Sequence, residues 1–252
     1  MHTLVLIKRV PDTASKITIA PDGKQIDPSG LQFVLNPYDE FAVEAALQLK
    51  EAAGEGSVRI MTLGPKEATQ TIRSALAMGA DEAFHIVDDR SLRDAFSTAR
   101  TLADAIAQLD PKPDLILCGR QSVDAQAMAT GPMVATLLGL PCVSDIVKLE
   151  RDGDTLRVER EIEGGVEVLE VGLPAVLTTN KGLNEPRYAS LKGIMKAKKK
   201  KIHNPEVAIA PEKTTIVEMR YPPAREGGRI VGEGPDAVPE LVRLLREECK
   251  VL

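Results

Sequence analysis

The first 118 residues alternate short apolar runs with longer amphipathic stretches, and few folds accept that alternation. Thr3 to Lys8, Ser57 to Leu63, Glu82 to Val87 and Asp114 to Cys118 are apolar and too short for helices. They read as strands buried on both faces. Between them lie helical stretches from Asn36 to about Ala53, from Glu67 to Met78 and from Ser91 to Leu109. Asn36 can cap free N–H groups, Pro37 fits the first helical position, and Asp39 and Glu40 complement the helix dipole. Ser91 reads as the cap of the third helix. The alternation predicts an α/β fold: a mostly parallel sheet with helices on both faces. Ile17 to Ile19 and Leu31 to Leu35, divided by turn-rich Pro21-Asp-Gly and Asp27-Pro-Ser-Gly, read as an inserted pair of short strands.

Past the fourth strand, Gly119 to Pro132 forms a loop that leads into an apolar helix from about Met133 to Leu138. Gly119, Thr130, Gly131 and a helix N-terminus can bind an anion such as phosphate. A plain connecting loop is equally consistent, because no Gly-x-Gly-x-x-Gly or Gly-Lys-Ser/Thr element is present. Three strand ends, at Lys8 to Val10, Thr62 to Gly64 and Gly119 onward, can meet at one sheet edge, the usual nucleotide crevice.

Composition narrows the function classes. Aromatics are 3% with no Trp, so the core is built from Val, Leu, Ile and Ala, and base-stacking platforms are disfavoured. A net charge of −5 argues against general nucleic-acid binding. Cys118, Cys142 and Cys249 lack disulfide or zinc spacing, which suits a reducing compartment. No apolar run approaches the roughly 18 residues of a membrane span, so neither secretion nor membrane insertion is expected. No nucleophile elbow occurs, and His2, His85 and His203 share no metal-ligand spacing. His85 reads as a hydrogen-bonded core residue and His203 as a solvated tail residue.

Val143 to Glu150, Thr155 to Ile162 and Val166 to Val171 read as antiparallel hairpin strands, and Ala175 to Thr179 as a returning core strand. Asn184 to Ile202 matches no common secondary-structure pattern. Its apolar Leu-Gly-Ile-Met patch and lysine run suit a partner surface or a solvated linker. Beyond it, Thr214 to Arg220 looks strand-like and Pro235 to Lys250 helical. So sparse a tail suggests packing against another subunit.

Val158 to Glu170, Leu173-Pro-Ala-Val-Leu-Thr, and Leu183-Asn-Glu-Pro-Arg-Tyr-Ala-Ser-Leu-Lys-Gly-Ile-Met-Lys-Ala-Lys-Lys-Lys-Lys201 closely resemble the signature of the electron transfer flavoprotein beta subunit. The likeness extends to Lys8-Arg-Val, Asn36-Pro-Tyr, Thr71 to Asp81 and the Gly119 loop. It implies a Rossmann-like, adenine-nucleotide-binding domain over residues 1–202, with antiparallel hairpin additions and a partner-recognition loop at 184–202. It also implies an extended C-terminal arm, 203–252, packed on an alpha subunit that holds most of a shared FAD. Such a carrier is not an enzyme. It takes electrons from acyl-CoA dehydrogenase-type flavoproteins and passes them to a quinone oxidoreductase, in the cytoplasm of a prokaryote or the mitochondrial matrix of a eukaryote.

By the same resemblance, Val10, Asn36, Thr62, Gly64, Gln121, Ser122, Val123, Asp124 and Thr130 bind a structural AMP, and Tyr38 approaches the flavin. Tyr188, Leu191, Ile194, Met195, Lys196 and Lys199 contact the partner, with Leu191 as anchor. Lys196 to Lys201 either steers that partner or keeps the loop soluble. Met128 and Thr13 depart from the family pattern, where Asn and Tyr occur. The electron-bifurcating branch, with a second FAD in place of AMP, usually carries Asp-Gly-Asp-Thr-Ala-Gln. Asp124-Ala-Gln-Ala-Met-Ala lacks that pattern and favours AMP. A stand-alone nucleotide-hydrolysing enzyme and a lysine-tail nucleic-acid binder are the alternatives.

Overall fold

In the computed structural model, residues 1–90, 93–224 and 227–252 are described. They form two compact units, Met1–Glu218 and Met219–Leu252. The larger unit is built on a nine-stranded sheet. Its strands are β1 (His2–Leu6), β4 (Ser57–Gly64), β5 (Glu82–Val87), β6 (Leu115–Gly119), β7 (Cys142–Asp152), β8 (Thr155–Ile162), β9 (Gly165–Gly172), β10 (Ala175–Thr179) and β11 (Ile202–His203). The order is β11-β5-β4-β1-β6-β10-β7-β8-β9. Pairing is parallel from β11 through β7 and antiparallel among β7, β8 and β9.

Side-chain alternation explains why both faces are covered. Val5 and Ile7 pack with Ala42, Val43, Ile72 and Leu76 from α1 (Pro37–Ala53) and α2 (Ala68–Met78). Leu4 and Leu6 pack on the other face with Ala99, Leu102, Val134 and Ala135 from α3 (Ala95–Ile106) and α4 (Thr130–Leu138). The expected α/β architecture with helices on both faces is present.

Several local expectations are corrected. Ile17 to Ile19 does not pair with Leu31 to Leu35. Instead β3 (Phe33–Leu35) runs antiparallel to β2 (Arg9–Pro11), and Ile19 forms a single bridge to Ile26. The turn at Pro21-Asp-Gly thus closes on itself, leaving β3 to the chain that leaves β1. Ser91, the expected cap, lies outside the described residues; α3 starts later, where the Asp94 carboxylate accepts the Ser97 N–H. Helix α4 begins at Thr130 rather than Met133, because Gly131 and Pro132 at the second and third positions tolerate the first turn.

His203 is not a tail residue. It sits in β11, stacked on Phe84 with ring centroids 4.9 Å apart and bonded to Glu82 at 2.8 Å. His85 is buried as expected, with Nε2 3.1 Å from the Gly64 carbonyl. The chain after β11 lies along α3, where Ala210 N–H donates to Thr101 and Lys213 and Thr214 N–H groups donate to Asp94. Thr214 to Arg220 forms no strand, since Val217 is exposed and this polar run buries too little apolar surface. In the smaller unit a 3-10 turn at Pro235–Ala237 precedes α6 (Val238–Glu247), which ends before the expected Lys250.

Candidate functional site

Strand order reverses beside β1: the chain steps outward through β4 and β5, then returns to place β6 on β1's other side. A crevice forms at the carboxyl ends of such a switch point, since adjacent loops leave in opposite directions. Here those ends are Lys8 after β1 and Gly119 to Asp124 after β6.

The start of α1 ties the two together. Asp39, 4% exposed, accepts hydrogen bonds from Lys8 N–H at 2.7 Å, Gly119 N–H at 3.0 Å and the Asn36 amide at 2.9 Å. Burial pushes the Asp39 carboxyl up to about 7, while these three donors and the Lys8 charge oppose the shift. Asn36 does not cap its helix with its side chain. Its amide donates to the Gln121 carbonyl at 2.9 Å and accepts Val123 N–H at 3.1 Å, which fixes the β6 loop. This buried amide therefore has its hydrogen-bonding capacity committed to protein.

Lys8 reaches over the loop from the other side. Its ammonium lies 2.7 Å from the Asp124 carboxylate and 3.2 Å from the Ser122 hydroxyl. Burial opposes the Asp124 charge, but Lys8 holds the carboxyl below its ordinary range. Next door, the Thr62 hydroxyl donates to the Ile7 carbonyl at 2.7 Å, joining β4 to the end of β1. Gly64 ends β4, and Val10 is wholly buried in β2. Thr130 opens α4, so its N–H and that of Gly131 have no partner within the helix.

Tyr38 belongs to the same place. Its backbone carbonyl accepts from the Thr179 hydroxyl at 3.1 Å, and the Arg120 guanidinium lies 6.0 Å from its ring centroid. Arg120 pairs with Asp145 at 3.0 Å. Gly119 is required for this approach: a Cβ there would lie 2.5 Å from Asp39 Oδ1 and 2.6 Å from Tyr38 Cβ. We expect Gly119→Ala to push α1 off β6 and lower stability by about 2 kcal/mol. An unchanged urea midpoint would contradict that.

The sequence-derived nucleotide residues thus gather on the β4, β1 and β6 ends, with Asn36 and Thr62 committed to the scaffold. The partner residues do not join them. Tyr188, Leu191, Ile194 and Met195 lie on or beside a short helix, α5 (Leu191–Ala197), where the sequence pattern suggested none. Ser190 caps it, accepting Gly193 N–H at 3.0 Å. All four side chains are exposed, Leu191 by 83%. Lys196 and Lys199 are exposed as well. Lys200 is different: its ammonium donates to the Leu76, Gly79 and Ala80 carbonyls at the end of α2. So the lysine run is not uniformly a solvated charge. Among the described residues no cluster of His, Cys, Asp or Glu could hold a metal ion, and no helix is long and apolar enough to cross a membrane.

The family described as "Electron transfer flavoprotein domain" matches residues 24–210, a span holding most of the crevice and all of α5. The chain is 41% identical to the electron transfer flavoprotein subunit beta of Bacillus subtilis, over the whole of both chains. The chain belongs to the electron transfer flavoprotein beta-subunit family. It is also 37% identical to the mitochondrial electron transfer flavoprotein subunit beta of Oryza sativa subsp. indica, over both full lengths. With the Mus musculus beta subunit it shares 38% identity over 96% of each chain. Membership in the electron transfer flavoprotein family supports an electron-transfer role.

The contacts made by Asp39 and Lys8 at the crevice, and by Arg187 at the entry to α5, escaped the reading of the sequence. Asp39 reads there as a helix-dipole charge, Lys8 as a strand end, and Arg187 carries no assignment. Only the long-range pairing shows their full roles, because each has a partner at least 31 residues away.

Proposed function

We propose that this chain is the beta subunit of a heterodimeric electron transfer flavoprotein, with a structural AMP in the switch-point crevice. The observation that carries the reading is the meeting of Lys8 with Ser122 and Asp124 of the β6 loop, and of Gly131 at the α4 start with Cys118 at the end of β6, in a chain alignable end to end with beta subunits. One ammonium and one helix N-terminus match a single phosphate group. The Gln121 to Asp124 backbone and Gly64 line the approach, while Asn36 and Thr62 hold the loops in place. Lys8 leaves Asp124 for the phosphate when a nucleotide enters.

FAD, shared with an alpha subunit and approached by Tyr38, supplies the redox chemistry. The C-terminal arm, past the part that β11 and α3 hold, completes the alpha interface. Its final segment supports this, since Val238 and Leu241 on α6 and Ile230 before it are exposed. Exposed Leu191 and Met195, one turn apart and flanked by Lys192, Lys196 and Lys199, fit an apolar pocket with an acidic rim on an acyl-CoA dehydrogenase-type flavoprotein. A quinone oxidoreductase accepts the electrons.

The test is to co-purify the chain with its alpha subunit and identify the nucleotides released on denaturation. One FAD and one AMP per heterodimer are expected. Two FAD would place the chain in the bifurcating branch, and a colourless monomer that hydrolyses ATP would overturn the reading.

A further inference from the structure

Seven residues are too few for a helix to persist alone in water, so something must hold α5 in shape. Three sets of contacts do. At its entry, Arg187 grips α1: Nε and Nη2 lie 2.8 and 2.9 Å from the Glu44 carboxylate, and Nη1 and Nη2 lie 2.5 and 3.0 Å from Glu51. Arg187 N–H also donates to Glu44, and the Asn184 amide to the Phe41 carbonyl. Glu44 is 3% exposed and also accepts from the Gln48 amide.

At its exit, the chain is fastened to α2. The Lys200 ammonium occupies the carbonyls that end α2, while Arg73 donates back to the Ala197 and Lys200 carbonyls at 2.5 and 2.7 Å. Between the two, Gly193 and Ala197 form a seam one turn apart. Ala197 is 2% exposed, and a Cβ on Gly193 would lie 2.5 Å from the Ala77 carbonyl oxygen. Only glycine allows α5 to lie this close. With the seam facing α2, Leu191 and Met195 are turned outward.

We propose that Arg187, Lys200 and Gly193 are positioning residues that keep α5 folded and aimed before any partner arrives. This rests on the reading that α5 docks a dehydrogenase. It goes further in saying that docking needs no folding, because α5 is fastened in advance to α1 and α2.

The alternative is a segment that folds as it binds, and the two ideas predict opposite outcomes for Gly193→Ala. Alanine is the better helix former, so it would lower KM for a helix that forms on docking. For a helix already seated on α2, the added Cβ lifts it away and raises KM. The experiment uses the intact heterodimer with an acyl-CoA dehydrogenase-type flavoprotein as electron donor, and measures backbone hydrogen exchange over 191–197. We expect Gly193→Ala and Arg187→Gln each to raise KM for the heterodimer about tenfold, as the docking-competent fraction falls. Flavin content and kcat should stay near wild type, and exchange over 191–197 should quicken. Arg187→Lys should restore only part of the loss, since one ammonium cannot span two carboxylates.

Leu191→Ala separates the layers. If it raises KM while Gly193→Ala and Arg187→Gln do not, docking at α5 stands and positioning by the clamps is overturned. If Leu191→Ala leaves KM unchanged, both fall. Unchanged or slower exchange in Arg187→Gln and Gly193→Ala also overturns the proposal.

Discussion

Asp39→Ala is expected to lower stability by about 3 kcal/mol and to empty the crevice of the adenine nucleotide proposed for it. The loss follows from what Asp39 serves. Lys8 N–H, Gly119 N–H and the Asn36 amide converge on one buried carboxyl, and Ala offers none of them an acceptor. Each orphaned buried donor costs about 1 kcal/mol or more. The damage also spreads, because Asn36 is the residue that holds Gln121 and Val123. Urea unfolding measures the first effect and nucleotide content the second. A variant with wild-type midpoint and full nucleotide would show that Asp39 does not organise the crevice.

The same carboxyl gives a pH signature through Asp39→Asn. Its pKa in the fold is raised to about 7, from an ordinary 3.8, by burial. A raised pKa means the fold favours the neutral form. The stability so contributed is fully present below pH 3.8 and is lost as pH rises through about 7. Asn cannot titrate. Wild type should therefore lose stability relative to Asp39→Asn as pH rises from 4 to 8. A flat difference would mean that the donors cancel the effect of burial.

How much of this was legible in the sequence depends on the range of the interaction. Strand and helix identity follow from period and length, so β1, β4, β5, β6 and the helices between them are readable from the chain alone. Strand partners are not. Phe33–Leu35 carries the same β signal whether it pairs with Ile17 to Ile19 or, as found, with Arg9–Pro11. His203 illustrates the opposite error, since a polar residue in a sparse tail gives no sign that Phe84 and Glu82 await it. Helix α5 is short enough for its glycine and lysines to mask the pattern, and its stability comes from α1 and α2. Within the site, residue types suggested where a phosphate could go. The committed roles of Asn36 and Thr62 required knowing which carbonyl lies opposite each.

Leu191→Ala is expected to weaken docking of the dehydrogenase by about 2 kcal/mol, roughly thirtyfold in apparent affinity, with heterodimer and flavin content intact. The size of the effect comes from the contrast between states. Leu191 is 83% exposed in this chain, so nearly its whole side chain remains to be buried by a partner. Little is lost from the fold on truncation. The flanking lysines act by another route. Lys196 and Lys199 are exposed at the rim, where charge raises the association rate and salt screens it. Reversing both charges should slow association severalfold at low salt and change little at high salt, whereas the Leu191→Ala defect should persist in both. Lys200 must be left out of any such reversal. Its ammonium is bound by the α2 carbonyls, so replacing it would unseat the helix and imitate the loss of Leu191 for a structural reason. Stopped-flow flavin reduction across a salt series separates these contributions. A Leu191→Ala complex reduced at the wild-type rate under subsaturating conditions would remove the anchor from its assigned place.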